Sequence, residues 1–193
     1  MNPDWALFQA LNSLAGRWPA FDWIIRFLMN DYAMTTALSA LLVALWFRGR
    51  TPEERADDQA AVVHTIVALL VASAIVKGMN LMFFRLRPFT AHDGVHLLFY
   101  HPSDSSFPSN SVTVAFCFAL GVLQRSRGLG IAGIVFGSLL ALSRVIGGVH
   151  YPLDVLGGAL LAAATVLLVR RYRRWLNPLV RGMRRVASWV LLA

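Results

Sequence analysis

Long apolar stretches alternate with short polar ones along most of the chain. Residues 60–84, 109–124, 129–143 and 152–169 are runs in which nearly every position is apolar or small. A helix rises about 1.5 Å per residue, so roughly 20 such residues cross a bilayer, and each run approaches or exceeds that length. A further run, 32–47, ends in Trp46-Phe47, as expected at a headgroup boundary. Spans over 32–47, 60–84, 109–124, 129–146 and 152–169 predict an all-α fold, an integral membrane helical bundle of about five to six spans in a single domain, 1–193. Residues 1–31 mix apolar and polar positions. WALFQALNSLAG and FDWIIRFLMN read as short amphipathic helices at the interface, divided at Trp18-Pro19. With Asp4, Asp22 and Asp31 and no basic start, this stretch is not a cleavable signal peptide.

Composition strengthens the membrane reading. At 57% hydrophobic and 15% charged, a chain of 193 residues has too little interior to hide its apolar surface in water. The net charge of +8 invites nucleic acid as a partner, but its placement argues against that. Twelve of the eighteen basic residues, including Arg48, Arg50, Arg55, Arg125, Arg127 and the arginines of the tail, fall on one side of the predicted spans. The positive-inside rule puts that side in the cytoplasm. The tail, 170–193, then reads as a basic amphipathic segment on anionic lipid, its last apolar run too short to cross. The segment 48–59 reads as a solvated cytoplasmic turn. Cys117 is the single cysteine, which excludes an internal disulfide.

The remaining polar residues gather on the opposite side. Arg87, Ser109, Arg144, His150 and Asp154 come from three separated segments that all reach the non-cytoplasmic face. Two arginines suit a tetrahedral oxyanion, because guanidinium donors match phosphate oxygens in pairs. Pro108-Ser109-Asn110 opens a helix, with Ser109 as an N-cap and the N–H groups behind it as an anion site. Pro152 suits the first position of the last span, which holds His150 just ahead of a helix N-terminus. Asp154, one turn on, can accept a hydrogen bond from one ring nitrogen and leave the other free to attack. The set describes phosphoryl transfer through a histidine nucleophile without need of a metal or other cofactor. Taken singly, each residue has a plainer role: dipole complement for Asp154, snorkelling for Arg144, a cap for Ser109. At membrane depth and together, chemistry is the better reading. His92, His96 and His101 with Asp93 and Asp104 admit a metal site, against which stand substrate contacts or loop packing.

Ser143-Arg144-x5-His150-x3-Asp154 resembles the third signature of the type 2 phosphatidic acid phosphatase superfamily, SR-x5-H-x3-D. FPSNS at 107–111 resembles the second, PSGH, and Arg87-Pro88 the end of the first, K-x6-RP. RPFTAHDGVHLLFYHPSDSSFPSN followed by HYPLDVLGG resembles the bacitracin-resistance type of undecaprenyl-diphosphate phosphatase. The resemblance implies a phosphohistidine intermediate and recycling of the cell-wall lipid carrier, with a polyprenyl diphosphate and membrane lipids as partners. It implies a bacterial plasma-membrane protein whose site faces the periplasm or exterior. It assigns phosphate binding to Arg87, Ser109, Asn110 and Arg144, attack to His150 and orientation of His150 to Asp154. Two positions depart from it. The lysine of the first signature falls at Asn80, with Lys77 one turn away. The histidine ending the second, a general acid, falls at Ser111, whose hydroxyl is a poor proton donor near neutral pH. Either the protein natively lacks this acid, or the serine is a substitution, or His96 or His101 supplies the proton. The alternatives are a phosphatase for phosphatidic acid or phosphatidylglycerol phosphate, a weakened lipid-binding homologue, and, more distantly, a serine protease built on Ser109 or Ser111.

Overall fold

A computed structural model describes residues 2–189; Met1 and residues 190–193, the end of the basic tail, lie outside the described residues. The described residues form helices and no strand. Two short helices, α1 (Pro3–Asn12) and α2 (Pro19–Leu28), precede α3 (Asp31–Arg48) and α4 (Pro52–Met82). A loop carrying the single turn α5 (Pro88–Ala91) leads to α6 (Asn110–Leu123), α7 (Arg127–Ile146) and α8 (Pro152–Arg171). A 3-10 turn (Arg173–Leu176) then joins α9 (Asn177–Trp189).

α6 is the axis of the bundle and packs against α3, α4, α7 and α8. Its buried positions, among them Val112, Ala115, Cys117, Phe118 and Val122, follow one another on all sides of the helix. A helix apolar all round belongs inside other helices. Being enclosed, α6 need not match the bilayer: at 14 residues it is about 21 Å long, against roughly 30 Å of hydrocarbon. Three helices, α4, α7 and α8, are long and apolar enough to cross alone. The pair α2–α3, bent by 53°, makes a fourth if counted as one broken span. By length and composition, the run at 32–47 qualifies as a span only together with α2, and that at 109–124 is a shorter apolar helix. Outward positions such as Leu70, Leu81, Leu160 and Leu167 are large, apolar and exposed. That is the surface a lipid-facing bundle presents.

The segment 48–59 is not a solvated turn. Thr51 accepts the Glu54 N–H at 3.2 Å, Pro52 takes the first helical position, and Glu53 and Glu54 occupy the first turn, so α4 starts early. Asp58 is fully buried, held by Arg48 at 2.9 Å and Arg125 at 2.7 Å. A carboxylate met by two guanidinium groups can be buried where an unpaired one cannot.

α1 also differs from a helix lying only on the surface. Asp4 and Asn12 are buried. Asn12 donates to the carbonyls of His96 and Ile146, both at 2.8 Å, and accepts the His96 N–H at 3.0 Å. α2 fits the interfacial expectation better, with Trp23, Ile24 and Phe27 exposed.

Candidate active site

The chain between α7 and α8 is a tight turn that ends at His150. Gly148 has φ +85°, and a Cβ there would lie 2.6 Å from the His96 carbonyl, so both conformation and space call for glycine. The N–H groups of Val149 and His150 fold back onto the Arg144 carbonyl at 3.1 and 3.3 Å. The first turn of α8 is then tied by two carboxylates. Asp154 accepts the Tyr151 N–H at 2.8 Å, and Asp4 of α1 accepts the Leu153 N–H at 2.9 Å.

His150 is buried, and its neighbours define its tautomer. Nδ1 lies 2.9 Å from the Ser106 carbonyl, which can only accept, so Nδ1 carries the proton. Nε2 lies 3.2 Å from Nη1 of Arg87, which can only donate, so Nε2 presents its lone pair. Burial pushes the His150 pKa below its ordinary value; Asp154 opposes this, while Arg87 and Arg144 reinforce it. The neutral imidazole needed for attack is the favoured form.

Asp154 does not bond His150 directly. The closest approach is 3.7 Å, and Ser106 stands between them, its hydroxyl donating to Asp154 at 2.5 Å and lying 3.5 Å from Nδ1. Arg85 completes the arrangement, bridging Asp154 at 2.5 Å and Asp4 at 2.7 Å over the face of Tyr151. Ser106, Arg85 and Asp4 were missed at the sequence level because they lie outside the spacing that drew attention to His150 and Asp154. Ser106 and Arg85 lie among other polar residues of the loop 85–108, so polarity did not single them out.

Arg87, Arg144, His150, Asn110 and Ser111 line one cavity of about 260 Å³. Arg87 is buried and doubly anchored, donating to the Asp104 carbonyl at 3.1 Å and the Val149 carbonyl at 3.0 Å. Its Nη2 pairs with the exposed Asp104 carboxylate at 2.7 Å. Arg144 is buried under the ring of Phe99, pairs with Asp31, and has an Nε with no hydrogen-bond partner among the described residues. Both guanidinium groups thus meet a carboxylate that is itself partly open to solvent, 60% for Asp104 and 40% for Asp31. A phosphate entering the cavity can replace those carboxylates without stripping Arg87 of its backbone anchors.

The other expected residues sit differently. Ser109 occupies the N-cap position of α6, but its hydroxyl caps nothing; it is fully buried and unpartnered. The α8 backbone explains the burial: a Cβ at Gly158 would lie 2.7 Å from the Ser109 carbonyl. Ser109 therefore lies behind the cavity wall rather than on it. Asn80 is not brought to the arginines. With Lys77 it lines a neighbouring, mostly apolar groove of about 580 Å³ that shares Asp104, Ser105 and Asn110 with the first cavity. The loop histidines pack elsewhere, His92 on Trp5 and His101 against Phe89, while the His96 backbone is bound to Asn12. Neither His96 nor His101 lines the cavity, and among the described residues no three His, Cys, Asp or Glu side chains converge as metal ligands.

Comparison with known proteins identifies the family. The profile of the PAP2 superfamily matches residues 61–178. Undecaprenyl-diphosphatase BcrC of Bacillus subtilis (strain 168) is 34% identical over 177 residues, covering 92% of this chain and 88% of that protein. The crystal structure of Aquifex aeolicus LpxE aligns with a TM-score of 0.69 and 26% identity, over 86% of this chain and 94% of that one. The first transmembrane PAP2 type phosphatidylglycerolphosphate phosphatase from Bacillus subtilis aligns with a TM-score of 0.64 over 92% of this chain and 89% of that one; at 21% identity the likeness is one of fold. A profile match over more than half of the chain, joined to this degree of relatedness, makes the chain a member of the PAP2 superfamily of membrane lipid phosphatases.

Proposed function

We propose that the protein hydrolyses a polyprenyl diphosphate, undecaprenyl diphosphate being the best candidate, to the monophosphate and inorganic phosphate. The observation that carries this reading is the single lone pair of His150 Nε2, presented beside Arg87 in a cavity it shares with Arg144. Arg87 and Arg144 bind the terminal phosphate and neutralise its charge. Nε2 attacks the phosphorus, and the bridging P–O bond breaks with its electron pair on the leaving monophosphate. The phosphorylated imidazole keeps its Nδ1 proton and gains positive charge. The Ser106 carbonyl and the Asp154 carboxylate behind Ser106 stabilise that charge. Asp154 thus orients and stabilises His150 through a serine. Asn110, which lines the cavity, contributes to the phosphate site through the start of α6. Asn80 and Lys77, in the adjoining groove, suit the second phosphate, and the groove's apolar wall of Val76, Leu81 and Phe84 suits the isoprenoid chain.

The relatedness to an undecaprenyl-diphosphatase over nearly the whole chain supports the substrate class. The arginine asymmetry supports a multi-pass bacterial plasma-membrane protein with this cavity facing outward.

The test is phosphate release from a lipid diphosphate in detergent micelles by the full chain and by His150→Ala. Turnover should fall by at least about 10³-fold in the variant, as expected for loss of a nucleophile. Alkaline quenching with label in the terminal phosphate should give a base-stable, acid-labile phosphoprotein that His150→Ala does not form. Label on serine, or binding of the lipid without phosphate release, would overturn the reading in favour of a serine nucleophile or a lipid-binding homologue.

A further inference from the structure

The step after His150 phosphorylation needs a base. Water must attack the phosphohistidine and lose a proton, and His150 cannot take it because its Nε2 is bonded to phosphorus. The cavity offers few other groups. Tyr100 offers only a phenol, a poor proton acceptor beside a carboxylate. Asp104 lies on the loop before α6 and is exposed. Asp31 is placed differently. It is the first residue of α3, fixed there by Asn30, whose side chain accepts the N–H groups of Tyr32 and Ala33, both at 3.0 Å. Its Oδ1 accepts a hydrogen bond from the Ser111 hydroxyl at 2.9 Å and pairs with Nη2 of Arg144. The ion pair with Arg144 favours the carboxylate over the acid. Among the described residues, Oδ2 takes no hydrogen bond, and the side chain is 40% exposed.

We propose that Asp31 is the general base of the second half-reaction, its carboxylate held beside the phosphate site by Ser111 once the phosphate has taken Arg144 from it. This rests on the phosphohistidine reading above. When the first product leaves, a water enters between Asp31 and the phosphorus. Its oxygen forms the new P–O bond, and its proton passes to Asp31. The P–N bond breaks, and its electron pair returns to Nε2. The proton then leaves Asp31 through its solvent-exposed side. An ionised carboxylate can accept a proton but has none to give, so it serves the water step and not the departure of a poor leaving group. The site is therefore matched to substrates whose leaving group needs no proton, which is the property of a diphosphate.

Rapid-quench measurement with terminal-phosphate-labelled lipid diphosphate tests this in the purified full chain. In Asp31→Asn, the first turnover should release the leaving monophosphate in a burst of about one per enzyme. Labelled His150 should accumulate, and kcat should fall by roughly 10²-fold or more, with KM not raised, because Arg144 is freed for phosphate. Asp31→Glu should recover much of kcat. Ser111→Ala should show the same phenotype more weakly, which keeps the test decisive if Asp31→Asn folds poorly. Loss of the burst together with kcat, or discharge of phosphohistidine at the parent rate, would overturn the role of Asp31 while leaving the His150 mechanism standing. Undiminished turnover by His150→Ala would overturn both.

Discussion

Ser111 decides which leaving groups this site can release. In a monophosphate ester the departing group is an alkoxide, far too basic to leave unprotonated near neutral pH, so protonation is worth roughly 10²–10⁴-fold. In a diphosphate the departing group is a phosphomonoester with a second pKa near 6, by analogy with phosphorylated side chains, and it leaves largely unaided. Ser111 donates its one proton to Asp31, so neither residue is an acid for the first step. Ser111→His should therefore raise hydrolysis of phosphatidic acid by about 10²-fold and that of a lipid diphosphate far less. Phosphate release from both substrates in both proteins measures it, and equal gains would mean that residue 111 acts in binding. Asp31 lies 80 positions from Ser111 and 113 from Arg144. It drew notice in the sequence only as an acidic residue near the N-terminus. No spacing rule connects it to the site; the packing of α3 against α6 and α7 does.

At the scale of elements, α1 is a structural part of the site. Asp4 accepts the Leu153 N–H of α8 and pairs with Arg85, which in turn holds Asp154. Trp5 and Phe8 stack with each other, and Phe8 lies beside Tyr151, so apolar contacts fix the same docking. Asp4→Ala removes a cap of the kind worth about 1–2 kcal/mol and leaves the Leu153 N–H and one arm of Arg85 without their partner. For a chain of this size, each kcal/mol corresponds to about 2–4 °C, so Tm in detergent should fall by roughly 2–8 °C. Phosphatase activity should fall with it, because Arg85 then orients Asp154 without its second anchor. Thermal unfolding followed by circular dichroism measures the first effect. An unchanged Tm would return α1 to the status of a helix resting on the interface.

The whole molecule is polarised along the bundle. The cavity and the loop between α4 and α6 lie at one end, while Asp58, Arg48, Arg125 and the contact between Arg184 and Gln59 lie at the other. α9 carries the basic tail back to this second end, where it touches α4. With the arginine-rich end inside, cysteine introduced at Asp93 should react with an impermeant maleimide in intact cells, and cysteine at Arg127 only after lysis. Cys117 is buried and can be replaced to give a clean background. Labelling of position 127 from outside would reverse the orientation.

The run lengths alone announced a membrane-embedded helical protein, because apolar surface on this scale has no place in a soluble chain of 193 residues. The local spacing of Arg144, His150 and Asp154 was readable for a similar reason: helix ends and turns are short-range features that neighbouring residues specify. Three things waited for the tertiary structure. The length of α6 depends on its being enclosed by other helices rather than by lipid. The burial of Asp58 depends on two arginines from different parts of the chain. The partners that complete the site, Asp4, Asp31, Arg85 and Ser106, are joined to it only through long-range hydrogen bonds and ion pairs. Such contacts join residues far apart along the chain, so hydrophobic periodicity, which records only which way each helix faces, carries no trace of them.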